Sequence, residues 1–350
     1  MSHPIRIGRM GLLAVGLGIG ATLAATPQIA SADSSADPFS WADHVLSGLA
    51  VPADPSPLDM QISISGIDLF STVDNTATAS SHFGDIAIAV GDGANASATG
   101  FGDLSFADGT GSSATTGLGG LFDVALANGD GSSAAGGVGG IFALASANGT
   151  DSTAAAGLGG SFVIASASGD GSSATAGVGS NFDISSAVGT DSTADVGIGD
   201  GRDTSFAAGT GSYADAGVGL GNNAIALGTD SSAIAGVGIG DLATAVNGGD
   251  ATAGGFLSMA FADGANSDAQ TIGIGDIASV INTGSGFDQA ISGGNAAVPF
   301  SAFDLALIIG TDSTATAGLG GDWDFAGVFG DLGQATATGA NFVLDIFPSM

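Results

Sequence analysis

The side chains with the clearest chemical potential in this sequence are aspartates set just after a turn glycine. Asp92, Asp130 and Asp170 follow that glycine directly, while Asp151, Asp191, Asp230 and Asp312 come one residue later. Carboxylates at Gly-rich turns, together with backbone carbonyls, are the hard oxygen donors that calcium takes. These seven are therefore the candidate metal set, with calcium as the ion. The other reading is that they are solvated turn residues. The turns at Gly129, Gly149, Gly169 and Gly189 alternate between GDG and GTD. In stacked coils, like carboxylates ~5 Å apart repel by roughly 0.9 kcal/mol in water. Alternation doubles that spacing to ~10 Å, about the Debye length at 0.1 M salt.

A second Asp series, Asp85, Asp103, Asp241 and Asp276, sits in G-D-[IL]-[AS] strings. Asp at such a turn is expected to make local hydrogen bonds. Catalytic chemistry finds little support. His44, His82 and Tyr213 stand alone, with no second His at ligand spacing. No G-x-S-x-G elbow is present. We therefore expect no enzyme and no required cofactor, with calcium the one candidate ion.

Composition narrows the field further. The 350 residues include 63 Gly and no Cys, and the 34 acidic residues are all Asp. Lys is absent, and Arg occurs only as Arg6, Arg9 and Arg202. Thiol chemistry, disulfides and lysine-based sites are thereby excluded. A net charge of −31 argues against nucleic acid as a partner, since little is available to neutralise phosphates. Gly, Asp, Ser and Thr at the polar positions disfavour helix. Yet 44% of residues are hydrophobic, and they recur in register.

Residues 1–32 read as a signal peptide. Arg6 and Arg9 precede an uncharged run from Met10 to Ala25, then Ala30-Ser31-Ala32 offers a small-x-small cleavage site. The run is short and Gly-rich for a membrane span. The expected location is therefore secreted or at the cell surface, with no stable membrane span after cleavage. Residues 33–58 combine a short amphipathic helix over 38–49 with a Pro-rich stretch over 51–58.

Residues 59–350 read as one repeat domain. Turns of the form G-[DT]-[DG]-S-[ST]-A begin at Gly109, Gly129, Gly149, Gly169, Gly189, Gly209 and Gly228, spaced by 20 residues and finally by 19. A fixed period of this length marks a solenoid. After each turn comes an Ala-rich strand such as Ala174-Thr175-Ala176, then a second Gly turn, then a strand with larger side chains. In the latter, Ile86 and Ile88, or Val124 and Leu126, alternate with Ala. Period two places the large residues on one face and Ala on the other. We expect the large face inside and a flat Ala face outside, available for homo-oligomer contact. Roughly 13 coils at about 4.8 Å each give a rod ~60 Å long. Strand alternation reappears at Met60-Ile62-Ile64 and at Phe342-Leu344-Ile346.

The strings DIAIAVGDGANASATG (85–100) and NAIALGTDSSAIAGVGIG (223–240) resemble the head repeats of trimeric autotransporter adhesins. That resemblance implies a parallel β-roll and an adhesive role at a surface. The period is longer here, no heptad stalk follows, and LDIFPSM at the end lacks a barrel anchor's strands. Autotransport and trimerisation are not carried over. A leader followed by Gly/Ala/Asp repeats also resembles secreted mycobacterial repeat proteins, though not the PE-PGRS pattern. The fold expected is an all-β parallel solenoid of ~20-residue coils with a short N-terminal helix as cap. The function expected is structural, adhesive or host-facing, toward an unknown surface or host partner. A calcium-binding secreted repeat protein that folds outside the cell is the alternative.

Overall fold

The computed structural model describes residues 59–179, 181–198, 201–282, 284–293, 303–318, 323–338 and 342–346. The expected leader, the helix over 38–49 and the Pro-rich stretch lie outside them. The described residues form a parallel β-solenoid without helix. Each coil has a front strand, a tight turn, a back strand and a short third side. Front strands stack in parallel from Ile86–Val90 to Phe342–Ile346, and back strands from Thr78–Ser81 to Gln334–Ala337. The register follows the repeat: Val124 pairs with Leu144, Leu144 with Ile164, and Ile164 with Ile184. At the N-terminal end, Met60–Ile64 runs antiparallel to Ile86–Val90 and folds back on Ile67–Ser71. A hairpin therefore caps the first coil.

The core is the reverse of the expected one. Ala87, Ala89, Ala125, Ala127, Ala145 and Ala147 of the front strands are fully buried. So are Ala96, Ala114, Ala174 and Ala194 of the back strands. The larger side chains point outward, with Ile86 and Ile164 each 37% exposed. Alternation defines two faces but not which is inside, and here the sheet separation decides. Along most of the rod both sheets turn methyl groups inward, with Val280, Ile308 and Val328 inside only in the later coils. A Cβ placed on Gly136 of a back strand would lie 3.4 Å from the Val124 carbonyl oxygen of the facing front strand. Leu or Phe would overfill so thin an interior. The Ala face is thus the core, and the expected homo-oligomer contact through it has no surface to use.

The turn motif has a direct explanation. In G-x-x-S the serine is buried, and in the four turns from Gly109 to Gly169 its hydroxyl donates back to the glycine carbonyl, whereas Ser212 reaches Gly228 O and Ser231 reaches Leu227 O. Ser112 reaches Gly109 O at 3.0 Å, Ser132 reaches Gly129 O at 2.8 Å and Ser172 reaches Gly169 O at 2.9 Å. The glycine is required because adjacent coils approach closely there. Gly109 has φ 132°, and a Cβ on it would sit 2.5 Å from Gly129 O.

Candidate functional site

The seven candidate calcium aspartates line the edge where front strands turn into back strands. Asp130 Oδ1 accepts the Thr110 N–H at 2.9 Å, and Asp170 Oδ1 accepts the Thr150 N–H at 3.1 Å. Asp92 Oδ1 accepts the Thr76 hydroxyl at 2.7 Å, and Asp312 Oδ1 accepts the Phe287 N–H at 3.1 Å. Asp151, Asp191, Asp230 and Asp312 adopt left-handed backbone, with φ between 51° and 54°. Gly131 and Gly171 hold the equivalent position in other coils, at φ 69° and 66°. Asp and Gly both tolerate that conformation. The GDG/GTD alternation is therefore also complementary packing. A Cβ on Gly131 would meet Asp151 Oδ1 at 2.2 Å, and one on Gly171 would meet Asp191 Oδ1 at 2.3 Å. Asp151, Asp191 and Asp230 each lean over a left-handed Gly of the preceding coil. Among the described residues, no three acidic or histidine side chains converge on a point that could hold a metal ion.

The second Asp series lies inside the rod, at the corner where the third side enters the front strand. Asp85, Asp103, Asp123, Asp183, Asp203 and Asp241 are fully buried there, and Asn222 fills one rung. Each side chain accepts the N–H of its counterpart one coil on. Asp85 Oδ1 takes the Asp103 N–H at 3.0 Å, and Asp103 Oδ1 takes that of Asp123 at 3.0 Å. Asn222 Oδ1 takes the Asp241 N–H at 3.1 Å, and Asp241 Oδ1 that of Ser258 at 2.9 Å. This ladder satisfies backbone donors that the corner would otherwise strand. Where the rungs are Ala143 and Val163, the strands Ile141–Asn148 and Ser161–Ser168 run straight through the corner instead. Burial pushes the carboxyls of Asp123, Asp203 and Asp241 up to about 6. The N–H groups they accept pull back against that rise, and for Asp123 and Asp203 a neighbouring carboxylate adds to it. The sequence predicts local turn hydrogen bonds at Asp85, Asp103, Asp241 and Asp276, whereas each of these carboxyls reaches the next coil and forms part of a structural spine.

On the outside of the same corner stands a ridge that the sequence reading passed over. Phe122, Phe142, Phe162 and Phe182 occupy one position per coil, each 45–54% exposed. Their rings stack at 5.5, 5.1 and 5.2 Å between centroids, with interplanar angles of 16°, 19° and 4°. Phe101 meets the end of the row edge-on at 6.4 Å, and Phe303 stacks on Trp323 at 4.9 Å further along. All four stacked phenylalanines have positive φ, from 59° to 66°. Left-handed backbone at a bulky residue costs on the order of 1–3 kcal/mol. Stacking returns ~0.5–1.5 kcal/mol per pair. The signal was present as Phe recurring every 20 residues in front of the Asp, Ala or Val rung.

Beside the ridge runs an aliphatic row: Leu118, Val138, Leu158, Val178, Ile198, Val218 and Val237, each between 42% and 73% exposed. Val138, Leu158, Val178 and Ile198 of this row line a groove of about 450 Å³ together with Ala155, Gly157, Gly177, Asp195 and Asp215. Those two carboxylates are in register on adjacent back strands. The Tyr213 hydroxyl donates to Asp215 Oδ2 at 3.3 Å. Burial, with the Asp215 charge beside it, raises the Asp195 carboxyl above its ordinary value, and a Thr175 hydrogen bond opposes the rise. His82 is exposed, in the loop after the first back strand.

These features define a parallel β-solenoid with an alanine core, an internal aspartate spine and apolar rows on its surface. No protein-family model, curated protein or solved structure matches the chain. Among the described residues, no helix is long and apolar enough to cross a membrane.

Proposed function

We propose that the chain is an exported, non-enzymatic repeat protein with a structural, adhesive or host-facing role at the cell surface or in the medium. The observation that carries this reading is the exposed corner, where strained, stacked phenylalanines run beside a row of exposed Leu, Val and Ile. Soluble monomers rarely keep contiguous apolar patches of this extent unless they contact something. The stack also says what kind of partner suits it. The ring faces are used by neighbouring rings, so the ridge offers ring edges. A sugar or base that stacks on a ring face would find only the ends of the row. A flat apolar partner fits the whole length.

Export rests on the basic and apolar leader with Ala30-Ser31-Ala32. Expression of the full chain in a bacterial host, followed by fractionation and N-terminal sequencing, tests it. The expected product starts at Asp33 in the medium or surface fraction. An intact Met1 in the cytoplasm would overturn this reading. The calcium alternative predicts a coil spectrum in chelator that becomes β in calcium. The hydrogen bonds already made by Asp130 and Asp170 to backbone N–H groups favour a β spectrum with one melting point in both.

A further inference from the structure

We propose that the outward face of the front sheet is a contact between two copies of this chain, with the rods antiparallel and related by a twofold axis through Phe206. Charge segregation comes first. The first outward column of the front strands runs from Ile86 through Leu144, Ile184 and Leu242 to Phe325, interrupted in polarity by Thr204 and Asn223. Neither this column nor the middle one contains a charge, in a chain whose net charge is −31. The back sheet is the contrast. Its outward positions are mostly Ser, Thr and Gln, with Asp195, Asp215, Asp250 and Asp268 among them, and Ala135, Ala155, Tyr213, Ile234 and Ile291 are scattered exceptions.

The second argument is area. A rod of ~60 Å presenting three outward residues per strand offers a face ~15 Å wide, or roughly 900 Å² per copy, with the only charges, Asp108 and Asp263, confined to the third column at its turn edge. A stable interface needs about 800 Å² per partner.

The third argument selects a second copy over other apolar partners. A twofold contact requires a self-complementary surface. The middle column, read outward from Phe206, has Ser186, Ser166, Ser146 and Leu126 in one direction. In the other it has Ile225, Thr244, Phe261 and Ser279. An axis along the strand at Phe206 sets Ser186 against Ile225, Ser146 against Phe261 and Leu126 against Ser279. Large meets small at each of those three levels and Ser166 meets Thr244, while Phe206 packs on its own copy at the axis and Phe106 on Leu307 beyond Leu126. The same axis preserves strand direction, so the acidic turn edges of both copies lie on one side. Salt should therefore strengthen the contact.

Sedimentation of the full chain at micromolar concentration and pH 7 tests this. The expected mass is twice 33.0 kDa, with tighter association at higher salt. Ile225→Asp should give single chains, while Thr115→Asp, at an exposed back-sheet position between Ser97 and Ala135, should leave the pairs intact. Ile225→Ser, the residue this column already carries at 186, guards against misfolding. It should weaken association about tenfold or more, from the lost burial of one Ile per copy. With no native cysteine, Phe206→Cys should cross-link to itself, and Leu126→Cys should not. A monomeric wild-type mass would overturn the proposal, as would pairs that survive Ile225→Asp. Single chains that float with phosphatidylcholine vesicles would assign the face to lipid instead. Cross-linking through Leu126→Cys but not Phe206→Cys would overturn the axis at Phe206, and cross-linking through both would overturn the antiparallel arrangement.

Discussion

Asp241 isolates what burial does to one carboxyl. Its rung neighbours in the internal spine are Asn222 and Ser258, so no like charge stands beside it in that ladder. Burial lifts it to about 6, against the N–H groups of Ser258 and Gly255, which pull it down. The unfolded carboxyl titrates near 3.9. Between those values the folded chain holds a proton that the unfolded chain has lost, so stability falls as pH rises through that window. Asp123 and Asp203 titrate in the same direction and range. The rod should therefore melt at higher temperature at pH 4.5 than at pH 7.5, as read by circular dichroism. Asp241→Asn should raise stability at pH 7.5 by about 1–2 kcal/mol, allowing for solvent screening, and flatten part of the pH dependence. Asn222 already shows that an amide can fill a rung. A loss of stability at pH 7.5 would mean that the charged form is the one the spine requires.

At the scale of the strand, neighbouring positions have opposite tolerances. Ala165 is fully buried between the sheets, whereas Ile164 points outward. Ala165→Leu should destabilise by roughly 1–3 kcal/mol through overpacking. Ile164→Ser should cost under about 1 kcal/mol, since Ser already occupies outward positions on the same face. Equilibrium denaturation of the two variants decides the assignment, and the opposite ranking would restore the large-residue core. The period, the strands, the turns and the two faces were all legible in the sequence, because repeat spacing and alternation are local signals. Which face is buried was not, because the distance between sheets is a property of the closed coil. The spine escaped for a related reason. Asp103 and Asp123 look like any Asp after or near a Gly turn until stacking aligns each carboxyl with the next coil's N–H. The ridge has a test at this scale as well. Phe142→Gly with Phe162→Gly removes two stacked rings at positions whose φ of 61° and 59° suits glycine. The fold should persist, and native-state fluorescence of a hydrophobic dye should fall relative to wild type. Unchanged dye binding would move the apolar contact elsewhere.

For the whole rod, stability is a chain of nearest-neighbour contacts, and the ends are its exposed points. Every interior strand has parallel partners on both sides, so an uncovered end presents a row of unpaired N–H and C=O groups. At the N-terminal end the hairpin of Met60–Ile64 and Ile67–Ser71 reverses direction over Ile86–Val90. A strand that lies antiparallel cannot continue the parallel stack, so the hairpin blocks addition of another rod in register. Two deletions with opposite outcomes follow. Removing residues 149–168 excises one coil from Gly149 to the equivalent Gly169; the new junction stacks strands of the same kind and brings the GDG turns of Asp130 and Asp170 together, a repulsion of only roughly 1 kcal/mol. That variant should stay soluble, keep its β spectrum per residue and shorten by one strand spacing, about 4.8 Å, in small-angle scattering. Removing residues 59–74 takes away the hairpin and leaves the Ile86–Val90 edge open, with its alternating Ile and Ala ready to pair. That variant should grow end to end into filaments visible by electron microscopy. The interior Ala ladder stays dry in either case, so the cause would be the open backbone edge and not a disrupted core. Filaments from the coil excision, or none after removal of the hairpin, would show that something other than this cap limits growth of the rod.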